Sequence, residues 1–230
     1  MDFEERIAEL ERELKRTYRG IETLQEELVR RNEQVEALSR HDGETGVMSA
    51  PYFQDRLDTE VLRSQRYGTP LTLLMLELDG LGPLRSRLGE DAEKILLFQT
   101  AERMRLNSRR TDLIGRGAQG QMVMALFATS SKGAKFLAQR LRKAVRDEAY
   151  ALSGSPPLDL TCSIGVASVS AQVRSRRLLV EAAVGCLREA QSKGGDQIRV
   201  AGEMPFLRRL LQAFLDFLKD PPRRSTTATR

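Results

Sequence analysis

The segment that most constrains the fold is a nearly uninterrupted apolar run, Leu-Thr-Leu-Leu-Met-Leu-Glu-Leu, at residues 71–78. Pro70 precedes the run and Asp79-Gly80 follows it, which gives it the length and the boundaries of a strand rather than of a helix. Because apolar side chains occupy both alternating positions, the run predicts a buried strand. A chain with such a strand needs other elements to cover it.

Helical and extended patterns alternate around this strand. Helices are predicted over 52–67, 90–107, 132–150 and 177–193, and strands over 112–116, 121–127, 158–169 and 197–200. Two of the strands flank Gly-Ala-Gln-Gly at 117–120, which predicts a hairpin with a tight turn. The alternation predicts an α/β (α+β) domain over residues 41–202, in which helices cover a sheet.

The first 40 residues carry apolar side chains at heptad spacing. One phase of the repeat holds Ile7, Leu14, Ile21, Leu28 and Val35, and the other holds Phe3, Leu10, Thr17, Leu24, Arg31 and Leu38. About five heptads with charged residues between them predict a parallel two-stranded coiled coil. We therefore expect a homodimer formed through residues 1–40, the alternative being one long helix packed on its own domain.

A second amphipathic pattern follows the domain, over residues 203–220. Its large apolar residues recur at helical spacing and are Phe206, Leu207, Leu210, Leu211, Phe214, Leu215 and Leu218. Such a helix must cover its own domain, the dimer mate or a protein partner, and its few cations disfavour a membrane surface. We expect the Pro- and Ser/Thr-containing tail at 221–230 to be disordered.

Composition narrows the function classes. Net charge is +5, and most of the 37 basic residues are arginine, which favours anion recognition. The isolated Cys162 and Cys186 and the single histidine, His41, disfavour both a disulfide framework and a Cys/His zinc site. No apolar run approaches a membrane span and residues 1–16 lack a signal-peptide core, so we expect a cytoplasmic protein.

Four motifs make residues 42–200 resemble the GGDEF domain of diguanylate cyclases. The opening pattern of the family falls on residues 42–53, and its Pro-Leu-x-Leu-Leu-Met-Leu-Asp-Ile-Asp strand falls on residues 70–79. The Ser-Ile-Gly-Val-Ala strand is unchanged at 163–167, and the end of the last helix falls on 187–194. The resemblance implies a central, mostly antiparallel sheet wrapped by helices, a bacterial setting and signalling by cyclic di-GMP.

The motif that names the family is degenerate in this chain. It falls on Ala118, Gln119, Gly120, Gln121 and Met122. In the family, the two glycines admit GTP close to the backbone and a carboxylate at the fourth position holds Mg²⁺. Here Gln119 adds a side chain and Gln121 is neutral, so Glu77 is left as a lone carboxylate. We expect Mg²⁺ to bind poorly and no other cofactor to be held.

The GTP contacts that the resemblance implies are replaced as well. Arg85 stands where an Asn reads guanine, and Lys94 stands where an Asp pairs with the base. The cations that hold phosphate fall on Gly82, Gln191 and Gly195. The sequence therefore predicts that the chain is not an enzyme.

One family element is retained, the Arg-x-x-Asp motif of the site that binds cyclic di-GMP as an inhibitor. It falls on Arg109 and Asp112, and five residues separate it from Ala118. An Arg fork can bind phosphate or the Hoogsteen edge of guanine, and Asp can accept from guanine N–H groups. Arg109 could equally be a solvated charge at a helix end. A further Arg, such as Arg140 or Arg142, would complete the site.

These features predict an inactive GGDEF-domain protein with a regulatory or scaffolding role that is a candidate receptor for cyclic di-GMP. The alternative is a purely structural interaction module without nucleotide, and a residual diguanylate cyclase is the least favoured. Direct nucleic-acid binding is disfavoured, because residues 1–40 hold more acids than bases and no basic helix continues the heptads.

Overall fold

A computed structural model describes residues 12, 14–25, 27, 40–118, 120–152 and 154–202. Its helices are α1 (Ala50–Tyr67), α2 (Leu81–Leu88), α3 (Glu90–Leu106), α4 (Ser131–Asp147) and α5 (Arg176–Ser192). Its strands are β1 (Leu71–Leu78), β2 (Leu113–Arg116), β3 (Met122–Phe127), β4 (Cys162–Ser168) and β5 (Ile198–Val200).

The predictions for the two ends of the chain lie largely outside these residues. Residues 14–25 are helical, but most other positions of the predicted coiled coil are not described. The predicted helix at 203–220 and the tail at 221–230 lie wholly outside the described residues. Within the described ranges, every helix is too short or too polar to cross a bilayer.

The five strands form one sheet in the order β2-β3-β1-β4-β5. The apolar run at 71–78 is its central strand and pairs antiparallel with both β3 and β4. Only β4 and β5 are parallel. The expected fold class, an α/β domain with a mostly antiparallel sheet, is thus confirmed.

Alternate side chains of β1 point to opposite faces of the sheet, so the core has two layers. Leu74, Leu76 and Leu78 face α3 and α4 in one apolar cluster, and Leu73 and Met75 face α1 and α5 in the other. All five side chains are buried. Neighbouring side chains of a strand point to opposite faces, so a strand in the middle layer must be apolar at every position that faces a helix.

The unchanged Ser-Ile-Gly-Val-Ala motif is explained by packing between β4 and α5. A Cβ on Gly165 would lie 2.1 Å from the carbonyl oxygen of Ala183 and 2.5 Å from the backbone nitrogen of Leu187. Only glycine allows α5 to lie this close to the sheet. The motif therefore preserves the fold and says nothing about catalysis.

Helix α2 was not predicted from the sequence. Gly80, Gly82 and Pro83 are typical of a loop, yet Gly80 lies at the N-terminus of α2 with φ 74° and Pro83 falls in the first turn. The first turn of a helix does not need the backbone N–H that proline lacks. Gly89, with φ 87°, separates α2 from α3.

Two predicted boundaries around β4 were wrong. The helix predicted to Tyr150 ends at Asp147, and the strand predicted from Leu158 begins at Cys162. Tyr150 and Leu158 instead form an isolated antiparallel bridge. Tyr150 is fully buried, with its ring 3.7 Å from the guanidinium carbon of Arg103 and its hydroxyl 3.0 Å from that of Thr100. Tertiary contacts thus override the helical pattern at Tyr150.

The segment that enters the domain is attached to the edge strand β2. The Met48 backbone N–H donates to the carbonyl of Ile114, and the Arg116 N–H donates to the carbonyl of Met48. Asp42 accepts hydrogen bonds from the N–H and hydroxyl of Thr45, and its other oxygen lies 3.6 Å from Nε of Arg116. The opening motif therefore anchors the chain before α1.

Candidate functional site

A cavity of about 510 Å³ lies at the end of β1, between α2, α3 and the β2–β3 hairpin. Among the predicted site residues, it brings together Glu77, Arg85, Lys94 and Gly120. The other lining residues are Glu44, Leu81, Gly82, Glu90, Glu93, Leu97 and Arg116. Glutamates thus outnumber the cations in its lining by one.

The turn of the hairpin closes one side of this cavity. Its backbone is held by hydrogen bonds from Gly117 N–H to the carbonyl of Gln121 and from Gln121 N–H to that of Ala118. Gly120 has φ 82°, and a Cβ there would lie 2.8 Å from Cδ2 of Leu81. The turn thus needs glycine at 120, whereas Gln119 lies outside the described residues.

The position at which the resemblance places a metal ion holds an amide–carboxylate contact. The Gln121 side-chain Nε2 donates to Oε2 of Glu77 over 3.1 Å, and both residues are half-buried. Within the described ranges, no group of three or more His, Cys, Asp or Glu side chains could hold a metal ion. A hard divalent cation prefers several anionic oxygens, so one carboxylate beside an amide does not fit Mg²⁺.

Arg85 crosses the part of the cavity where the resemblance places the base of the substrate. Its Nη2 lies 2.6 Å from Oε1 of Glu90, and its Nε lies 3.4 Å from Oε2 of Glu93. The hydrogen bond to Glu90, with the charges of Glu93 and Glu90, raises the pKa of Arg85 further. Its guanidinium is therefore already matched with two carboxylates.

The other two cations of the cavity are paired in the same way. Lys94 Nζ lies 3.5 Å from Asp91 and 3.9 Å from Glu44, and Arg116 pairs with Asp42. These exposed lysine pairs are weak, but they place carboxylates beside every cation of the lining. An added polyphosphate would have to compete with these carboxylates.

The remaining predicted site residues lie away from the cavity lining. Ala118 is exposed on the turn, and Met122 is a fully buried residue of β3. Gln191 lies in the last turn of α5, where its carbonyl accepts from Gly194 N–H. Gly195 lies against the carboxylate of Asp79, which a Cβ there would contact at 2.8 Å.

Asp79 is a structural residue that the sequence did not single out. Its carboxylate accepts hydrogen bonds from the Thr161 hydroxyl at 2.6 Å, the Ser163 hydroxyl at 2.7 Å and the Asp196 N–H at 2.8 Å. It thereby joins the end of β1 to β4 and to the turn before β5. The hydroxyl residues before and within β4 were the only available signal.

Arg109 and Asp112 form a closed turn between α3 and β2. The Arg109 N–H donates to Oδ2 of Asp112 over 2.9 Å, and the Asp112 N–H donates to the Arg109 carbonyl over 3.1 Å. The Arg109 side chain is exposed, and no carboxylate of the described residues pairs with it. The turn orders the carboxylate and leaves the guanidinium available.

The structure distinguishes the two candidate third residues. The Arg140 guanidinium donates to the backbone carbonyl of Asn107, two residues before Arg109. Arg142 instead donates to the carbonyl of Asp196, and its Nη1 lies 3.2 Å from Oδ1 of the same residue. Arg140 therefore lies beside the turn and Arg142 does not.

The fold agrees with a nucleotidyl-cyclase-like domain, and comparison with known families makes the assignment specific. Residues 39–197 match the family model "Diguanylate cyclase, GGDEF domain". The chain therefore belongs to the GGDEF family.

Individual relatives share the domain. MucR of Pseudomonas aeruginosa, a bifunctional diguanylate cyclase and cyclic di-GMP phosphodiesterase, is 27% identical over 167 residues, which is 73% of this chain and 24% of that protein. Diguanylate cyclase A of Treponema denticola is also 27% identical, over 57% of this chain and 35% of that protein. The chain thus spans between about a quarter and a third of the length of these two curated relatives.

Solved structures agree with the fold. Diguanylate cyclase SiaD of P. aeruginosa, solved with its activator SiaC, superposes with a TM-score of 0.67 at 27% identity, over 86% of this chain and 75% of SiaD. The coiled coil and GGDEF domain of DgcB from Caulobacter crescentus, solved with c-di-GMP, superposes with a TM-score of 0.67 at 20% identity, over 84% of this chain and 99% of that one.

Proposed function

We propose that this chain is a catalytically inactive GGDEF-domain protein with a regulatory or scaffolding role, which binds cyclic di-GMP through Arg109, Asp112 and Arg140. The observation that carries the loss of catalysis is the pairing of Arg85 with Glu90 and Glu93 in the lining of the cavity. The observation that favours a ligand is the exposed Arg109 on an ordered turn with Arg140 beside it.

Electrostatics argue against GTP in the cavity. A triphosphate brings several negative charges to a lining that already holds more glutamates than cations. Freeing a cation for the phosphates would leave Glu90, Glu93 or Glu44 without its partner. Solvent screens both effects, the repulsion of the phosphates by the glutamates and the loss of ion pairs, but both still oppose the binding of GTP.

The contact between Gln121 and Glu77 argues against metal-assisted chemistry. In the family, a carboxylate pair positions a divalent cation that activates the attacking hydroxyl. Here an amide has taken one carboxylate position and uses its donor group on the other.

A direct assay tests the absence of catalysis. The full chain, incubated with GTP and Mg²⁺ or Mn²⁺, is expected to produce no cyclic di-GMP above the level of a buffer blank. An active diguanylate cyclase in the same assay is the positive control. Product that depends on the chain, and that disappears in Glu77→Gln, would contradict inactivity.

The chemistry of the second site suits a cyclic dinucleotide. A guanidinium can bind a phosphate or the O6/N7 edge of guanine with two parallel hydrogen bonds, and a carboxylate can accept from guanine N1–H and N2–H. DgcB was solved with c-di-GMP, which supports such a ligand for a domain of this fold.

Titration calorimetry with cyclic di-GMP tests this site. Binding by the parent chain is expected to be lost in Arg109→Ala and to weaken about tenfold or more in Arg140→Ala, since a charge-assisted contact contributes about 1.5–3 kcal/mol. Arg142→Ala is the matched control on the same helix and is expected to bind like the parent. A parent chain that does not bind would remove the receptor role.

The proposed role includes a homodimer. Leu14, Ile21 and Leu24, at predicted heptad positions, are 58%, 46% and 62% exposed on the single chain. A second copy would cover this apolar stripe. Sedimentation of the full chain is expected to give a dimer, and Ile21→Arg is expected to give a monomer; a parent that sediments as a monomer at micromolar concentration would contradict it.

The second candidate function is a protein-interaction module without nucleotide, whose partner binds the segment at 203–220. Its support is that SiaD was solved with a protein activator. If this function is correct, Arg109→Ala and Asp112→Ala should leave binding of the protein partner unchanged, and deletion of residues 203–218 should abolish it. If the chain is instead a receptor for cyclic di-GMP, the two point variants should change binding of the protein partner when cyclic di-GMP is present.

A further inference from the structure

Two large apolar side chains stand exposed at the end of the α3–α4 layer. Leu106 is 83% exposed and Phe136 is 64% exposed. The core does not require either of them, because α3 and α4 pack on the sheet through other residues, including Leu97, Met104 and Leu141. Exposed single apolar residues are common on protein surfaces, so the exposure of Leu106 and Phe136 is informative only together with their position.

Three contacts fix the register of α3 against α4 and the segment after α4. Gln99 donates to the carbonyl of Ala151 over 2.7 Å. Arg103 donates to the carbonyl of Val145 over 3.3 Å. Arg140 reaches back from α4 to the carbonyl of Asn107. The residue numbers rise on one side as they fall on the other, so the two helices run antiparallel.

This register places Phe136 at the level of the Arg109–Asp112 turn. Phe136 precedes Arg140 by four residues, so the two side chains share a face of α4 and lie about 6 Å, slightly more than one helical turn, apart along the axis. Arg140 lies opposite Asn107, and α4 runs antiparallel to α3. One turn towards the N-terminus of α4, Phe136 therefore lies opposite the residues that follow Asn107. Leu106 borders the same turn from α3.

The combination of groups is specific for a planar base linked to phosphate. Arg109 and Arg140 supply cations, and the carboxylate of Asp112 is ordered by the Arg109 N–H. Such groups recognise phosphates and the edge of a base, but they leave its apolar face in water. An aromatic ring beside them supplies the surface on which a purine stacks.

We propose that Phe136 is a stacking residue for a guanine base of a cyclic dinucleotide held by Arg109 and Arg140, with Leu106 covering the border of the base. This inference rests on the proposed receptor function and adds a residue that sets the affinity for the ligand. Stacking is favoured by every base, so Phe136 strengthens binding, while Asp112 selects guanine.

Calorimetry with cyclic di-GMP separates this inference from the function on which it rests. Phe136→Ala and Phe136→Leu are expected to bind about tenfold more weakly than the parent, because stacking and not apolar bulk is lost. Phe136→Tyr keeps the ring and is expected to stay within threefold of the parent. Because Phe136 is exposed, these variants should fold, which circular dichroism and the melting temperature check.

Fluorescence gives a second readout, because the chain contains no tryptophan. Phe136→Trp places a single indole at the proposed stacking position, and its emission is expected to be quenched as cyclic di-GMP is added. Leu62→Trp is the control, since Leu62 is 67% exposed on α1, which covers the other face of the sheet. Its emission is expected to stay constant.

The outcomes are distinguishable. A parent that binds, with Phe136→Ala and Phe136→Leu binding equally well and no quenching in Phe136→Trp, overturns the stacking role and leaves the receptor function standing. A parent that does not bind cyclic di-GMP overturns both.

Discussion

Gln121 Nε2 and Glu77 Oε2 are joined by a 3.1 Å hydrogen bond that links the hairpin to the end of the central strand. An amide and a carboxylate are compatible at this distance without any counterion. Two carboxylates are not, because like charges so close destabilise each other unless a cation or a proton lies between them. The amide at position 121 therefore lets this corner of the domain be stable without a metal ion.

A carboxylate at position 121 should make the stability of the domain depend on a metal ion. Gln121→Glu is expected to lower the free energy of unfolding by about 1 kcal/mol in the presence of a chelator, because it opposes Glu77. Millimolar Mn²⁺ should raise its melting temperature and leave that of the parent unchanged. Gln139→Glu, at an exposed position of α4, is the control and should respond to neither condition. A parent stabilised by Mn²⁺ to the same extent would contradict this account.

Loss of the Asp79 carboxylate should destabilise the domain. Asp79→Ala leaves the hydroxyls of Thr161 and Ser163 and the Asp196 N–H without their acceptor, and we expect a loss of about 3 kcal/mol in urea unfolding. Asp91→Ala is the control, because that side chain is 97% exposed, and it should stay within about 0.5 kcal/mol of the parent. Equal stability of the two variants would show that Asp79 does not join the strands.

The two alanine variants Gly165→Ala and Gly185→Ala should have opposite effects. A methyl group at 165 would overlap the backbone of α5, so we expect a loss of at least about 3 kcal/mol or failure to fold. Gly185 lies on α5, and a methyl group there would meet nothing within 4 Å. The higher helix propensity of alanine should therefore raise the free energy of unfolding by about 0.5–1 kcal/mol. Urea unfolding measures both, and a tolerated Gly165→Ala would contradict the close packing of α5 on β4.

Cys162 should make stability depend on alkaline pH. Burial and the carboxylates of Asp79 and Asp196 raise the pKa of this thiol in the folded chain far above its ordinary value. As pH rises through about 8.5, the thiol loses its proton in the unfolded chain and keeps it in the folded chain. The unfolded state is therefore stabilised relative to the folded state, and the free energy of unfolding falls.

The measurement is the slope of the free energy of unfolding against pH, compared between the parent and Cys162→Ala. Above pH 8.5, the free energy of unfolding of the parent should fall more steeply, by about 1.4 kcal/mol per pH unit. Native chain at pH 8 should also resist iodoacetamide, since Cys162 and Cys186 are 0% and 2% exposed. Parallel slopes, or rapid labelling of Cys162, would be inconsistent with a buried protonated thiol.

The parts of the fold that depend on local pattern could be predicted from the sequence. The strand at 71–78 and the glycine-containing hairpin were predicted within a residue, because apolar length and turn residues are local signals. Helix α2 was missed because Gly82 and Pro83 obscure it. The end of α4 was misplaced because Tyr150 leaves the helix for a buried contact with Thr100 and Arg103.

The site was predictable as a set of residue types and not as an arrangement. Sequence comparison with the family placed Arg85 and Lys94 in the cavity, but their pairing with glutamates from α3 and the opening segment depends on how these elements pack. The choice of Arg140 over Arg142 required the register between α3 and α4. Asp79 was overlooked because its partners are about 80 to 120 positions away in the chain.

The attachment of Met48 to β2 has a mechanical consequence. Any torque on the chain that precedes Arg40 reaches this edge strand through two backbone hydrogen bonds and the pairing of Asp42 with Arg116. The strand begins directly after the Arg109–Asp112 turn and ends at the hairpin turn. One four-residue strand thus connects the entry of the domain, its candidate ligand turn and the hairpin turn, so a displacement at any one of them is expected to reach the other two.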